Sequence, residues 1–225
     1  MRKPIVDYRE FRLAKINEPQ FSHLKLLLGW VGYFVMYFIT EQFIPVDKCF
    51  IMHSRLDDII PFCEVFVVPY VFWYFLIAWS LVYFAMYNPE NFKNLMKFII
   101  ICQVTAMVIY IVFPNRQDLR PEIMPRDNIF TRLVGLLYSF DTDTNVCPSM
   151  HVAYSIGMAS VWLKEKGAAV GTKIFVVITC ILVCLSTMFI KQHSSIDVFA
   201  AIGLCAVVEI IVFYKSKDKS KIHTS

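Results

Sequence analysis

Residues 62–87 read FCEVFVVPYVFWYFLIAWSLVYFAMY, with one carboxylate near the start and no Lys or Arg. A helix needs about 20 mostly apolar residues to cross a bilayer. This stretch exceeds that, so it can span with some tilt. The run is continuously apolar and does not alternate, which selects a helix over a barrel strand.

Working outward, five more runs of the same kind appear at residues 24–44, 95–113, 148–163, 172–190 and 193–214. The run at 148–163 is short and begins with polar residues. The expected fold is therefore all-α: a polytopic membrane protein built as a bundle of six transmembrane helices. Residues 1–23 form a charged N-terminal segment without an early apolar core, so no cleavable signal is expected there. Residues 24–214 form the six-span domain, and 215–225 (KSKDKSKIHTS) a basic, disordered tail.

Composition agrees with this reading. Apolar residues make up 57% of the 225-residue chain, charged residues 18%, and the mean hydropathy is +0.56. That is more apolar side chain than one water-soluble core of this size can hide. The net charge of +4 is modest, and no stretch interleaves basic and aromatic residues as a nucleic-acid surface would. Four of the seven cysteines (Cys102, Cys180, Cys184, Cys205) fall within apolar runs, where thiols act as small hydrophobes. No pair has metal-ligand spacing, and spacing alone does not establish a Cys49–Cys63 bridge. No metal and no cofactor are expected.

Charge placement orients the chain. Lys and Arg crowd residues 1–23, the turns at 88–97 and 164–173, and the tail. With six spans all of these share one side, and the bias toward cytoplasmic Lys/Arg puts both termini in the cytoplasm. A plasma-membrane location is expected. The opposite face receives the segment near 46–60 and the longest internal loop, 114–147. That loop carries Arg116, Arg120, Arg126 and Arg132, against the bias. Topology does not explain them, so a local reason such as anion binding is expected. Glu64, Gln103 and Glu209, in or near spans, are read as interhelical hydrogen-bonding groups in preference to a lining for lipid access.

Three segments on that face carry chemistry. Residues 186–197 read STMFIKQHSSID. His193 and Asp197 are four apart and share a helix face. The carboxylate can fix the imidazole tautomer and leave the other ring nitrogen free to attack phosphorus. The same pair can equally do no more than solvate a helix start. In Cys147-Pro148-Ser149-Met150-His151, a helix N-terminus presents free amides to an anion. Ser149 adds a hydroxyl, Met150 a backbone N–H, and His151 a proton for a leaving oxygen. The bland reading is a capping Ser beside an incidental His. Arg120, held extended before Pro121, offers a forked guanidinium, although a lone loop Arg is usually just solvated.

Taken together, the segments resemble the type 2 phosphatidic acid phosphatase and vanadium haloperoxidase superfamily. Its signature is Lys-x6-Arg-Pro, then Pro-Ser-Gly-His, then Ser-Arg-x5-His-x3-Asp. Here Arg120-Pro121, Pro148-Ser149-Met150-His151 and Ser186-Thr187-x5-His193-x3-Asp197 match in order and spacing. The resemblance implies that His193 is the nucleophile, Asp197 its partner and His151 the general acid. Arg120, Ser149 and the Met150 amide would hold the phosphoryl oxygens, and no metal would be needed. Three positions depart: Phe113 stands for the family Lys, Thr187 for the family Arg and Met150 for Gly. Lys191 and Arg116 are candidate replacements for the missing cations. The segment His-Ser-Ser-Ile-Asp-Val is also similar to the His-Tyr-Thr-Ile-Asp-Val of sphingomyelin synthases and to its counterpart in inositol phosphorylceramide synthases.

The expected function is a membrane lipid phosphate phosphatase working through phosphohistidine at the non-cytoplasmic face. Its partners would be the bilayer and a lipid such as phosphatidic acid or a polyprenyl diphosphate. Two alternatives remain: a phospholipid headgroup transferase, and a non-enzymatic transport or scaffold protein whose polar residues only stabilise the bundle. Asp57 and Asp58, just before the second run, are expected near the site, and the sequence does not show whether they touch it.

Overall fold

Helix boundaries follow local chemistry. The computed structural model describes residues 3–214, so the expected basic tail at 215–225 lies outside the described residues. Eight α-helices run in chain order: α1 (Leu28–Phe43), α2 (Arg55–Ile59), α3 (Val67–Tyr87), α4 (Pro89–Val112), α5 (Ile129–Phe140), α6 (Met150–Lys164), α7 (Val170–Phe189) and α8 (Ser195–Glu209). Two-residue strands β1 (Phe50–Ile51) and β2 (Asn115–Arg116) pair in parallel. The junction between α3 and α4 shows the logic. Asn88 ends one helix, its side chain accepts from the Asn91 amide at 3.1 Å, and Pro89 opens the next helix.

Among the described residues, five segments are long and apolar enough to cross a membrane: Ser22–Phe43, Glu64–Tyr87, Pro89–Val112, Val170–Phe189 and Ser195–Tyr214. Their outward faces carry exposed Phe34, Phe38, Phe75, Val82, Val108, Ile181 and Phe199. A water-facing surface does not normally expose so continuous an apolar belt. The sixth expected span, 148–163, is α6. It has 15 residues, about 22 Å at ~1.5 Å per residue, against a hydrocarbon core of about 30 Å. It packs against α3, α4, α7 and α8, so protein covers most of its length.

All these helices deliver their chemistry to one end of the bundle. There the Phe50 amide bonds Pro114 O at 2.8 Å, the Cys63 amide bonds Phe189 O at 2.9 Å, and the Ser149 amide bonds Asp197 O at 3.1 Å. The other end is closed by the N-terminal segment, whose Ile5 amide bonds Met86 O at 2.8 Å. Tyr8 there donates to Ala85 O and bonds His23. The loop at 114–147 is not wholly irregular. It holds α5, started by an Asn128 cap that accepts from the Phe130 and Thr131 amides.

Polar links across the helices match their expected use. Gln103 donates to Tyr154 at 2.7 Å, and Glu209 accepts from Ser160 and Lys164. Glu64 bonds Arg126 and Asn128 at the start of α5. Trp162, wholly buried, stacks on Trp79 and donates to Ser80 at 2.9 Å. All seven cysteines are free thiols.

Close approach of α4 to α6 depends on Gly157, where an added Cβ would sit 2.8 Å from the ring of fully buried Phe98. Gly157→Val should therefore lower stability by about 1–3 kcal/mol through overpacking. Phe98→Leu in the same chain should recover part of the loss. The unfolding midpoint in detergent measures both, and an unchanged midpoint in Gly157→Val would contradict the packing.

Candidate active site

Asp197 is the third residue of α8, and its carboxylate reaches back to the turn before it. Oδ2 accepts from the Ser194 amide at 2.9 Å and from His193 Nδ1 at 3.3 Å. Ser194 returns the bond by accepting from the Ile196 amide at 3.2 Å, which completes a capping box. The His193–Asp197 pair thus starts a helix and orients an imidazole with the same oxygen. With Nδ1 donating to the carboxylate, the free lone pair of His193 is on Nε2.

A second clamp lies beneath. Asp57, buried in α2, accepts from the Ser194 hydroxyl at 2.6 Å, the Ser195 amide at 2.7 Å and the Ser54 amide at 2.8 Å. Burial acts to raise its pKa, but these three donors hold the carboxyl below its ordinary value. Asp58 lies on the surface instead, bonded to His53 at 2.8 Å.

His151 is the second residue of α6, directly after the Ser149 cap. Its ring lies 5.8 Å, centroid to centroid, from that of His193. Both rings line one cavity of about 300 Å³ together with Met150, Gln192 and Asp141. The remaining wall is largely aromatic, including Tyr33, Tyr37, Trp73, Tyr74 and Tyr154. His151 Nδ1 faces the Tyr70 hydroxyl at 3.4 Å, and its Nε2 is buried without a partner.

The expected site residues thus divide. His151, His193 and Met150 line the cavity, and Asp197 stands directly behind His193. Ser149 is fully buried, where its hydroxyl caps α6 by accepting from the Val152 amide. The amides of the first α6 turn, Met150 and His151 among them, have no intrahelical acceptor.

The two expected phosphate cations make bonds within the chain, with Arg120 Nε left buried and unpartnered. Arg120 donates to the carbonyls of Tyr138, Asp141 and Thr142 and to Gln192 Oε1, and its guanidinium lies over the Tyr138 ring. Lys191, at φ 54°, donates to Asp57 O at 2.8 Å and Ile60 O at 2.6 Å. Burial draws its pKa below the ordinary value, partly offset by Asp57 and Asp58. Among the described residues, no Lys or Arg lines the cavity. The physical reason is that irregular segments at this end leave carbonyls unpaired, and cationic side chains satisfy them. The same holds for the other loop arginines. Arg116 sits 3.7 Å from Asp143, Arg126 bonds Glu64, and Arg132 bonds Asp127. The local reason expected for these residues is intramolecular.

Several supporting residues carried no sequence signal. Buried Asn115 accepts from the Val146 and Cys147 amides and donates to Cys147 O, so it fixes the approach to α6. Tyr110 donates to Pro148 O at 2.9 Å. Glu41 holds Thr144 and Asn145. The four residues Tyr70, Asp141, Gln192 and Arg120 form one connected network. Among the described residues, no group of His, Cys, Asp and Glu is arranged to hold a metal ion.

No family model, no curated protein and no solved structure matches the chain.

The Asp57 clamp predicts a pH dependence. A carboxyl held below its usual value of 3.8 contributes stability fully above that value, and the contribution is lost as pH falls through the folded-state value. Asp57→Asn should lower stability at pH 7 by about 2–3 kcal/mol, since charge-assisted bonds are lost from buried donors. Unfolding midpoints in detergent should differ by a constant amount from pH 7 to about pH 4 and converge below. A difference that persists undiminished at pH 3 would contradict the assignment.

Proposed function

We propose that the chain is a membrane enzyme that cleaves or transfers phosphate esters of lipids through a phosphohistidine on His193. The observation that supports it is the pair of imidazoles, 5.8 Å apart, on one cavity at the end of an apolar bundle. One ring has a carboxylate behind Nδ1, and the other has an unpartnered Nε2. That arrangement suits one phosphorus atom flanked by a nucleophile and an acid. His193 Nε2 attacks phosphorus, the bond to the leaving oxygen breaks, and His151 supplies that oxygen with a proton. Water or a lipid hydroxyl then attacks, returns its proton to His151 and releases His193. The free amides at the start of α6 hold the phosphoryl oxygens.

The membrane arrangement belongs to the same proposal. α6 serves as a short sixth span inside a ring of longer helices, and both termini face the cytoplasm, as the Lys distribution implies. The site then opens at the non-cytoplasmic face of the plasma membrane. The leading reaction is hydrolysis of a lipid phosphate, of phosphatidic acid or polyprenyl diphosphate type. Headgroup transfer between lipids is favoured by a different observation. Among the described residues no Lys or Arg lines the cavity, and a singly charged phosphodiester is then less costly to hold than a doubly charged phosphomonoester.

Purified protein in detergent, given a panel of lipid phosphates, should release phosphate. His193→Ala should lower the rate at least about a thousandfold, as loss of a nucleophile does. An acid-labile, base-stable phosphoryl adduct should form on the wild type and not on His193→Ala. With a labelled phospholipid, transfer to added diacylglycerol or ceramide selects the transferase, and free phosphate the phosphatase. Neither adduct nor product from any lipid would leave the bundle without this enzymatic role.

A further inference from the structure

We infer that Tyr70 and Asp141 form a relay behind His151 that fixes its tautomer and balances its charge, leaving Nε2 as the atom that exchanges a proton with the substrate. The inference deepens the phosphoryl-transfer reading of the site and rests on it for its kinetic consequences.

Tyr70 is fully buried on α3, and its hydroxyl lies 2.8 Å from Asp141 Oδ2. An ionised carboxylate only accepts, so the single phenolic hydrogen goes to Asp141. The Tyr70 oxygen is then left as an acceptor, and the atom facing it at 3.4 Å is His151 Nδ1. Nδ1 therefore carries the hydrogen, and Nε2 is the lone pair of the neutral ring. That Nε2 is buried with no partner of its own. His193 is arranged alike but more directly, with its carboxylate touching the ring. Each imidazole thus has an acid behind Nδ1 and a working nitrogen at Nε2.

Asp141 is held for this task from two sides. Gln192 Nε2 donates to the same Oδ2 at 2.9 Å, while Arg120 donates to Gln192 Oε1 and to the Asp141 carbonyl, both at 2.7 Å. Arg120 therefore acts at one remove from the reaction, as a positioning residue for Asp141 and Gln192. The charged and titratable groups around His151 are Tyr70 and Tyr74 of α3, Asp141 after α5, and His193 with Asp197 behind it.

The proton balance is closed. In the first half-reaction the electron pair of His193 Nε2 forms the P–N bond, the P–O bond breaks, and the leaving oxygen takes the proton of His151 Nε2. In the second, the acceptor oxygen bonds to phosphorus, its proton passes to His151 Nε2, and the P–N electron pair returns to His193. The free enzyme holds the neutral ring; His151 takes up a proton at Nε2 with the anionic substrate and gives one back to water as the product leaves, while Asp141 compensates the imidazolium charge through the Tyr70 dipole.

Two measurements test this. In ¹⁵N-histidine spectra in detergent, with His151 assigned by difference against His151→Gln, the neutral ring should bear its hydrogen on Nδ1 in the wild type. Tyr70→Phe should abolish that preference. A wild-type ring protonated on Nε2 overturns the relay, whatever the activity, and needs no variant of the relay to fold. In turnover, Tyr70→Phe and Asp141→Asn should each lower kcat about 10- to 100-fold, the usual cost of removing such a support, with KM little changed. The alkaline limb of the kcat profile should move to lower pH in Asp141→Asn, because the imidazolium has lost its compensating charge. Wild-type kcat and an unmoved limb in both variants would also overturn the relay. If the wild type turns over no lipid phosphate, the phosphoryl-transfer reading fails by itself, and the ¹⁵N result still decides the relay.

Discussion

One carboxylate oxygen, Oδ2 of Asp197, organises the end of this bundle. It lies at zero exposure and accepts both the Ser194 amide and the His193 ring. Both donors converge on this oxygen, while Oδ1 is buried without a hydrogen-bond partner, and the two bonds leave the turn before α8 little freedom. Ser194 and Ser195 are in turn bound to Asp57, and the Ser149 amide is bound to the Asp197 carbonyl. α2, the α7–α8 turn and the start of α6 are thus tied to a few adjacent atoms. The two imidazoles meet because the polar groups at their helix starts have been satisfied mutually.

The same constraint explains the electrostatics of the cavity. Backbone at membrane depth that is not helical must find donors within the protein. The segments 57–60 and 138–142 present carbonyls at that end, and Lys191 and Arg120 serve them. The cavity keeps two histidines, one carboxylate and an aromatic wall. Among the described residues no Lys or Arg lines it, so positive charge on the wall can come only from an imidazole, and the groups behind each ring weigh more than in a site ringed by permanent cations.

Much of the bundle could be read from composition, because long apolar runs have few physical alternatives. α6 is the exception that shows the limit. Val152, Ala153, Met158, Val161 and Trp162 are buried by other helices, so the helix can be short where a lipid-facing one cannot. α5 was hidden within an expected loop, although Asn128 and Thr131 carry the spacing of a helix cap. For the site, the His193-x3-Asp197 spacing did predict a contact, but His193 precedes the Ser194 cap and makes it from outside the helix, while Ser194 and Asp197 form the capping box, so the structural and chemical readings were never exclusive. Arg120 and Lys191 were legible as cations but not as partners. Side-chain type specifies which oxygens a guanidinium prefers, and only the fold decides whether phosphate or carbonyl is within reach. Tyr70 and Gln192 could not be found at all, since a tyrosine in an aromatic run and a glutamine in a turn carry no periodicity of their own.

The arginines of the 114–147 loop bring these points together. Their number on the face opposite the other basic residues suggested an anion, yet Arg116, Arg120, Arg126 and Arg132 are each paired within the chain. A charge pattern that opposes the topology rule therefore has two physical explanations, a ligand or an irregular backbone that needs donors. They differ in a way residue type cannot show, because guanidinium geometry serves both. In this fold the second explanation accounts for the bonds they make. By binding the Asp141 carbonyl and Gln192, Arg120 sets the carboxylate that stands behind Tyr70 and His151. The arginine that resembled a phosphate ligand thus stands behind the imidazole by way of Asp141 and Tyr70, holding the backbone that carries that carboxylate.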